Sequence, residues 1–178
     1  MNKEKQNGFT LIELLVVIAL MAVLAGVAAD LFAHSLRAYH KSQIINRLEQ
    51  NGSYAMSIIA NQTRNAKEVT VESPHELSLI SQDGETISFA IAQRSVEGTN
   101  LWVITKTVGG DEVVITNSDP VDGVEVSEEE SSFSLSAGTP PALTINLSLQ
   151  QAPNAPLRED YQAGVTISNT VIIRGGYE

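Results

Sequence analysis

Glu13 is the single ionisable side chain in an apolar run from Phe9 to Ala29, and it lies five residues after Gly8. A lone carboxylate in hydrocarbon costs roughly 2.5 kcal/mol or more at mid-bilayer and less near the interface, so it calls for a partner. An amine is the chemistry that would satisfy it. The surrounding residues also spell a capping box, with Thr10 as N-cap, Glu13 reaching back to it and Phe9 packed on Leu14. That local role accounts for Thr10 and Glu13. It does not account for Gly8 before Phe9, for the basic residues ahead of it, or for the long uncharged run behind.

Other groups able to do chemistry are sparse. His34 and His40 are six residues apart, about 600° of helical rotation, which turns them to different sides and argues against a shared metal. His75, in Ser73-Pro74-His75, reads as a residue of a solvated turn. The densest acidic stretch holds Asp119, Asp122 and Glu125, followed by Glu128, Glu129 and Glu130. Oxygen-rich loops can hold Ca²⁺, but this spacing does not follow an EF-hand, and the neighbouring serines fit a mobile, self-repelling surface segment equally well. No cofactor is expected. The chain has no cysteine, which removes disulfides, thiol catalysis and cysteine-based zinc sites. No Gly-x-Ser-x-Gly elbow, His-Glu-x-x-His helix or Gly-x-x-x-x-Gly-Lys loop is present, so the expectation is a protein that is not an enzyme. Trp102 could anchor a partner, although core packing explains it as well.

The run Gly8-Phe9-Thr10-Leu11-Ile12-Glu13, after a short polar leader with Lys3 and Lys5, resembles the class III signal of type IV prepilins and type II secretion pseudopilins. The resemblance implies that a membrane prepilin peptidase cuts after Gly8 and N-methylates Phe9, and that Glu13 serves subunit assembly. Cleavage would free a positive amine on Phe9. Within one chain Phe9 and Glu13 are about 6 Å apart along a helix axis; in a filament the amine could come from a neighbour, and pairing would then set axial register.

These residues must be carried by a helix in lipid. Residues 9–29 would form about 31 Å of helix, close to the hydrocarbon thickness of a bilayer. Lys3 and Lys5 precede this span and Asp30 follows it, which places the N-terminus in the cytoplasm and the remainder outside. A secretory signal peptide is the rival, with Val27-Ala28-Ala29 as its small-residue site ahead of Asp30. Its usual apolar core is shorter than this run and does not contain an acid.

After Ala29, 149 residues remain of the 178, enough for one domain with its own core. Net charge is −10, and from Val69 onward 16 acids face 4 bases. Nucleic-acid binding needs bases to displace phosphate counterions, so no nucleic acid is expected at this head. Arg37, Lys41, Arg47, Arg64 and Lys67 are read as lining a solvated or subunit-facing side of the helix.

From Leu31 to about Val69 the pattern remains helical, with a seam at Ile45, Leu48, Gly52, Ala55, Ile59, Gln62, Ala66 and Val69. A nearly continuous helix from Phe9 to about Lys67 follows, with a break at Asn51-Gly52 as the alternative. Beyond Val69 the period changes to two. Leu77 and Leu79, then Asp83-Gly84, then Ile87, Phe89 and Ile91 form a hairpin signature. Further strands are expected at 101–107, 112–116, 133–135, 143–149 and 165–174.

The predicted class is α+β, a long N-terminal helix packed on an antiparallel sheet, which is similar to the pilin head. The expected organisation is a cleaved leader (1–8), a transmembrane half-helix (9–29), an amphipathic half-helix (30–69) and a β-rich head (70–178). Asn46 to Val69, the strand 143–149 and the end Val171-Ile172-Ile173-Arg174 most resemble J-type pseudopilins and W-type minor pilins. The chain lacks a proline late in the apolar run and a terminal cysteine loop, both frequent in filament-forming pilins. The resemblance implies a minor subunit that initiates or caps a type IV pilus, competence or type II secretion filament. Its partners would be other pilins or pseudopilins, the prepilin peptidase, an inner-membrane platform protein and membrane lipid. An anchored adhesin or binding module that borrows the signal for export is the alternative; a secreted enzyme released after Ala29 would need a catalytic constellation that the sequence does not offer.

Overall fold

The computed structural model describes residues 9–155 and 163–173; the leader 1–8, including Gly8, Lys3 and Lys5, lies outside them, as does Arg174. The elements run α1 (Leu11–Arg64), β1 (Glu68–Ser73), β2 (Glu76–Ile80), β3 (Thr86–Val96), β4 (Thr99–Val108), β5 (Asp111–Val114), β6 (Val124–Val126), β7 (Ser132–Ser136), β8 (Ala142–Gln151) and β9 (Gly164–Ile172). The class is α+β with antiparallel sheets, as the change of period from about 3.6 to 2 requires. Two compact units divide the chain after His40. The first contains the apolar part of α1, and the second contains the rest of α1 and every strand.

Within the second unit one face of α1 is buried through Leu48, Gly52, Ala55, Met56, Ile59, Ala60 and Thr63. The spacing of these residues is the apolar stripe of a helix that must be covered. Both sheets supply the cover: Leu77, Leu79, Phe89 and Ile104 from one, and Phe133, Leu143, Ile145 and Leu149 from the other, all in one core cluster. Thr63 tolerates burial because its hydroxyl donates to Ile59 O at 2.8 Å. Gln62, expected in the seam, is only half-buried.

The first sheet is an antiparallel meander, β1-β2-β3-β4-β5. Its turns are short because the sequence supplies residues for positive φ: Gly84, Glu97-Gly98 and Gly109-Gly110. In the second sheet β8 pairs with β9 over residues 142–150. On the opposite edge of β8, β7 occupies 142–146 and β6 occupies 149–151, so β6 and β7 lie end to end.

Several expectations need correction. The helix ends at Arg64 and β1 begins at Glu68, so the amphipathic segment drawn to residue 69 finishes inside a strand. Asn65 and Ala66 close the last turn onto Asn61 and Thr63, and Lys67 N–H donates to Ile80 O at 2.7 Å, which draws the chain into the sheet. The helix is not broken at Asn51-Gly52. A Cβ built at Gly52 would stand 2.6 Å from Ile167 Cδ1 and 2.9 Å from Leu149 Cδ1; the glycine is there because the second sheet comes that close, not because the helix stops. β6 lies within the segment read as mobile and acidic, with Val124 and Val126 fully buried.

Candidate functional site

At the start of the described chain Thr10 and Glu13 hold each other. Thr10 N–H and Thr10 Oγ1 both reach Glu13 Oε2 at 3.4 Å, and Glu13 N–H donates to Thr10 Oγ1 at 3.3 Å. Leu14 N–H donates to Thr10 O at 3.2 Å, the first helical bond. This is the reciprocal capping box that the sequence allowed, and it forms because a helix leaves its first N–H groups without intrahelical partners. A carboxylate in the first turn is also favoured by the helix dipole. The contacts are long and exposed, so Glu13 is oriented by them without being enclosed. Phe9, one residue ahead of the cap, is 84% exposed.

The surface around this site is what a lipid environment demands. Leu11, Ile12, Leu14, Leu15, Ile18, Leu20, Met21, Val23 and Leu24 are exposed large hydrophobics. An 18-residue window of α1 meets the length and composition of a membrane span, and none of it is buried. Water would penalise such a surface by roughly 25 cal/mol per Å², whereas lipid or neighbouring helices would not. Among residues 9–29 the only side chain needing electrostatic compensation is Glu13.

Beyond the span, His34 Nε2 stands 3.7 Å from Asp30 Oδ1, one turn away, and the His40 ring meets Tyr39 edge-on; the two histidines share no site. His75 lies in the expected turn with Pro74 but is not fully solvated. It is half-buried, its Nε2 lies 3.0 Å from Glu128 O, and its carbonyl accepts from Ile91 N–H at 2.9 Å. Trp102 is half-buried against the core cluster.

The acidic residues considered for calcium are engaged separately. Asp119 Oδ1 accepts the N–H groups of Val121 and Asp122, both at 2.8 Å. These two bonds, that of Asp122 first, hold the Asp119 carboxyl below its ordinary range. Asp122 Oδ1 meets Arg47 Nη1 at 3.1 Å, and the same nitrogen donates to Asp122 O at 2.8 Å. Glu125 Oε2 accepts from Gln150 at 3.0 Å. Among the described residues no group of three or more His, Asp or Glu is placed to hold a metal.

What sequence reasoning missed here is structural. Arg47 is not simply a solvated helix residue, because together with Asn51 it fastens the 117–123 loop to α1. Asn51 Oδ1 accepts from Asn117 N–H at 3.1 Å while its amide donates to Arg47 O at 3.0 Å. The sequence Asn117-Ser118-Asp119-Pro120 ahead of Asp122-Gly123 carries the turn-forming residue types that could have signalled an ordered loop.

The profile of the prokaryotic N-terminal methylation motif matches residues 3–29. No curated protein and no solved structure matches the chain. The matched stretch contains Gly8, Phe9 and Glu13 and ends where the apolar run ends. The motif supports a pilin- or pseudopilin-type subunit that meets prepilin peptidase and other pilins, a structural rather than enzymatic class. With the long apolar helix it supports membrane anchoring through a prepilin-type N-terminus.

Proposed function

We propose that the protein is a minor pilin or pseudopilin: a precursor cut between Gly8 and Phe9, N-methylated on Phe9, and held in the cytoplasmic membrane by residues 9–29 with its β-rich head outside. Its action is assembly. Helices associate laterally in lipid, and Glu13 pairs with the Phe9 amine of an adjoining subunit. The observation that carries this reading is the motif match over residues 3–29 on a helix whose apolar surface is exposed and holds one acid.

The capping box and the intersubunit pair are compatible. An exposed cap contributes about 0.5–2 kcal/mol and leaves carboxylate oxygens able to accept further donors, since a carboxylate has about four lone-pair sites. An incoming ammonium would then compensate the charge that lipid penalises. The lack of a proline late in the apolar run, with the resemblance carried by the strand 143–149, supports an initiating or capping subunit over a shaft subunit. It would work with other minor subunits and an inner-membrane platform protein.

Two substitutions test the proposal. Replacing Gly8 with a bulky residue should leave uncut precursor in the membrane; unchanged maturation on a gel would refute the cleavage assignment. Glu13→Gln preserves a capping box and removes the charge. Its incorporation into filaments should fall sharply, and incorporation at the wild-type level would remove the pairing idea.

A further inference from the structure

The two sheets meet at facing edges. Among the described residues β1 pairs only with β2 and β7 only with β8. They are pinned at one point, where Phe133 N–H donates to Pro74 O at 2.7 Å. Next to this pin lies a groove of about 580 Å³ lined by Val69–Pro74 of one strand and Phe133–Leu135 of the other. Consecutive residues line it on both sides, so it follows the strand edges and not one face of a sheet. Edge strands turn alternate N–H and C=O groups away from their single neighbour.

Burial alternates along β1: Val69, Val71 and Ser73 are half-buried, while Glu68, Thr70 and Glu72 are exposed. Leu135, across the groove, is 39% exposed. Glu68 and Glu72, with Glu76 at the start of β2, have no cation bonded to them among the described residues. The register between β1 and β2 shifts between Val71 and Ser73, which makes Glu72 the extra residue of a bulge. Acids on an edge oppose pairing with an equally acidic edge, and the bulge leaves 68–71 as the regular part of β1. A second copy of this chain brings the same acids, and its residues from Val69 onward carry 16 acids against 4 bases. Glu72 lines the groove and Glu68 stands one residue outside its lining, so its acidic rim favours a cationic occupant and disfavours a second acidic copy.

We infer that this groove is a docking site for an extended segment of a partner protein in which Lys or Arg alternates with apolar residues, added as a strand along β1. The apolar side chains of that segment would meet Val69, Val71 and Leu135, and its cations would meet Glu68 and Glu72, while β1 supplies the backbone hydrogen bonds. The inference concerns the β-rich unit and stands whether or not residues 1–8 are removed.

The test uses the full-length protein in detergent micelles and end-capped peptides of about eight residues, a common strand length, alternating Val with Lys or Val with Glu. The Val/Lys peptide should bind, and amide exchange should slow in residues 68–73 and 133–136. Glu68→Lys with Glu72→Lys should weaken that binding roughly tenfold or more, the scale of two lost and inverted exposed charge pairs, and should admit the Val/Glu peptide. Both glutamates are exposed and unpaired, and unchanged Trp102 fluorescence would verify folding. Asp111→Lys with Glu49→Lys, the same charge change at exposed residues outside the groove lining, should leave binding near wild type. The proposal is overturned by no binding of the Val/Lys peptide at millimolar concentration, by equal loss in both double variants, or by protection outside the two strands.

Discussion

Gly52→Ala places two quantities of similar size against each other. In an exposed helix interior the change gains about 1 kcal/mol, because alanine loses less backbone entropy and glycine is the poorer helix former. At residue 52 the added carbon would lie 2.6 Å from Ile167 Cδ1 and 2.9 Å from Leu149 Cδ1, about 1 Å inside ordinary carbon contact. Overpacking of this kind costs about 1–3 kcal/mol. The contacting atoms are ends of flexible side chains, Ile167 is only half-buried, and so part of the strain can relax. The expected net result is a loss of about 1 kcal/mol. Ile167→Val removes the nearest carbon but leaves Leu149 Cδ1 at 2.9 Å; alone it should cost about 0.5–1 kcal/mol, and in its presence Gly52→Ala should cost clearly less than in the wild type. The assay is urea unfolding of the full chain in detergent, followed by fluorescence of Trp102, the sole tryptophan, which reports the unit that contains residue 52. Additive effects of the two changes, or stabilisation by Gly52→Ala alone, would refute the close approach between α1 and the second sheet.

Arg47→Ala removes two hydrogen bonds to Asp122 from a pair whose side chains are 50% and 79% exposed; such pairs contribute about 0.2–1 kcal/mol, so global stability should barely change while amide exchange across residues 117–123 accelerates. Protection as strong as in the wild type would dismiss the clamp. Asp119 has a lowered folded-state pKa, so its stabilisation is present above the ordinary carboxylate value and is lost as pH falls through the lowered one. Acid unfolding should begin at higher pH in Asp119→Asn, and coincident acid transitions would contradict the loop geometry. Thr10→Ala should fray the first turn of α1 at a cost of about 0.5–2 kcal/mol, yet leave subunit pairing through Glu13 largely in place; loss of assembly equal to that of Glu13→Gln would show that the cap carries the effect attributed to charge.

The long helix and most strands were legible because periodicity is local: Leu48, Ala55 and Ile59 repeat with the helical turn, and Ile87, Phe89 and Ile91 alternate. β1 was hidden because Val69 continues the helical seam, and it is pairing with β2, begun by the bond from Lys67 to the distant Ile80 carbonyl, that draws the chain into a sheet. β6 was hidden because Val124 and Val126 sit among acids, and their burial depends on β8, more than twenty residues further on. Gly52 was read as a weak point in the seam because its reason, two side chains from β8 and β9, is not adjacent in sequence. The capping box at the start of α1 was legible down to its hydrogen bonds, since Thr10 and Glu13 are three residues apart and a capping box is a local device.

Pairing of Glu13 with a Phe9 amine requires that the mature chain begin at Phe9. The intact mass and N-terminal sequence of the protein recovered from membrane and filament fractions of its own cells test this directly. The expected first residue is N-methylated Phe9, with Met1 to Gly8 removed. A chain that retains Met1, or one that begins at Asp30, would contradict it.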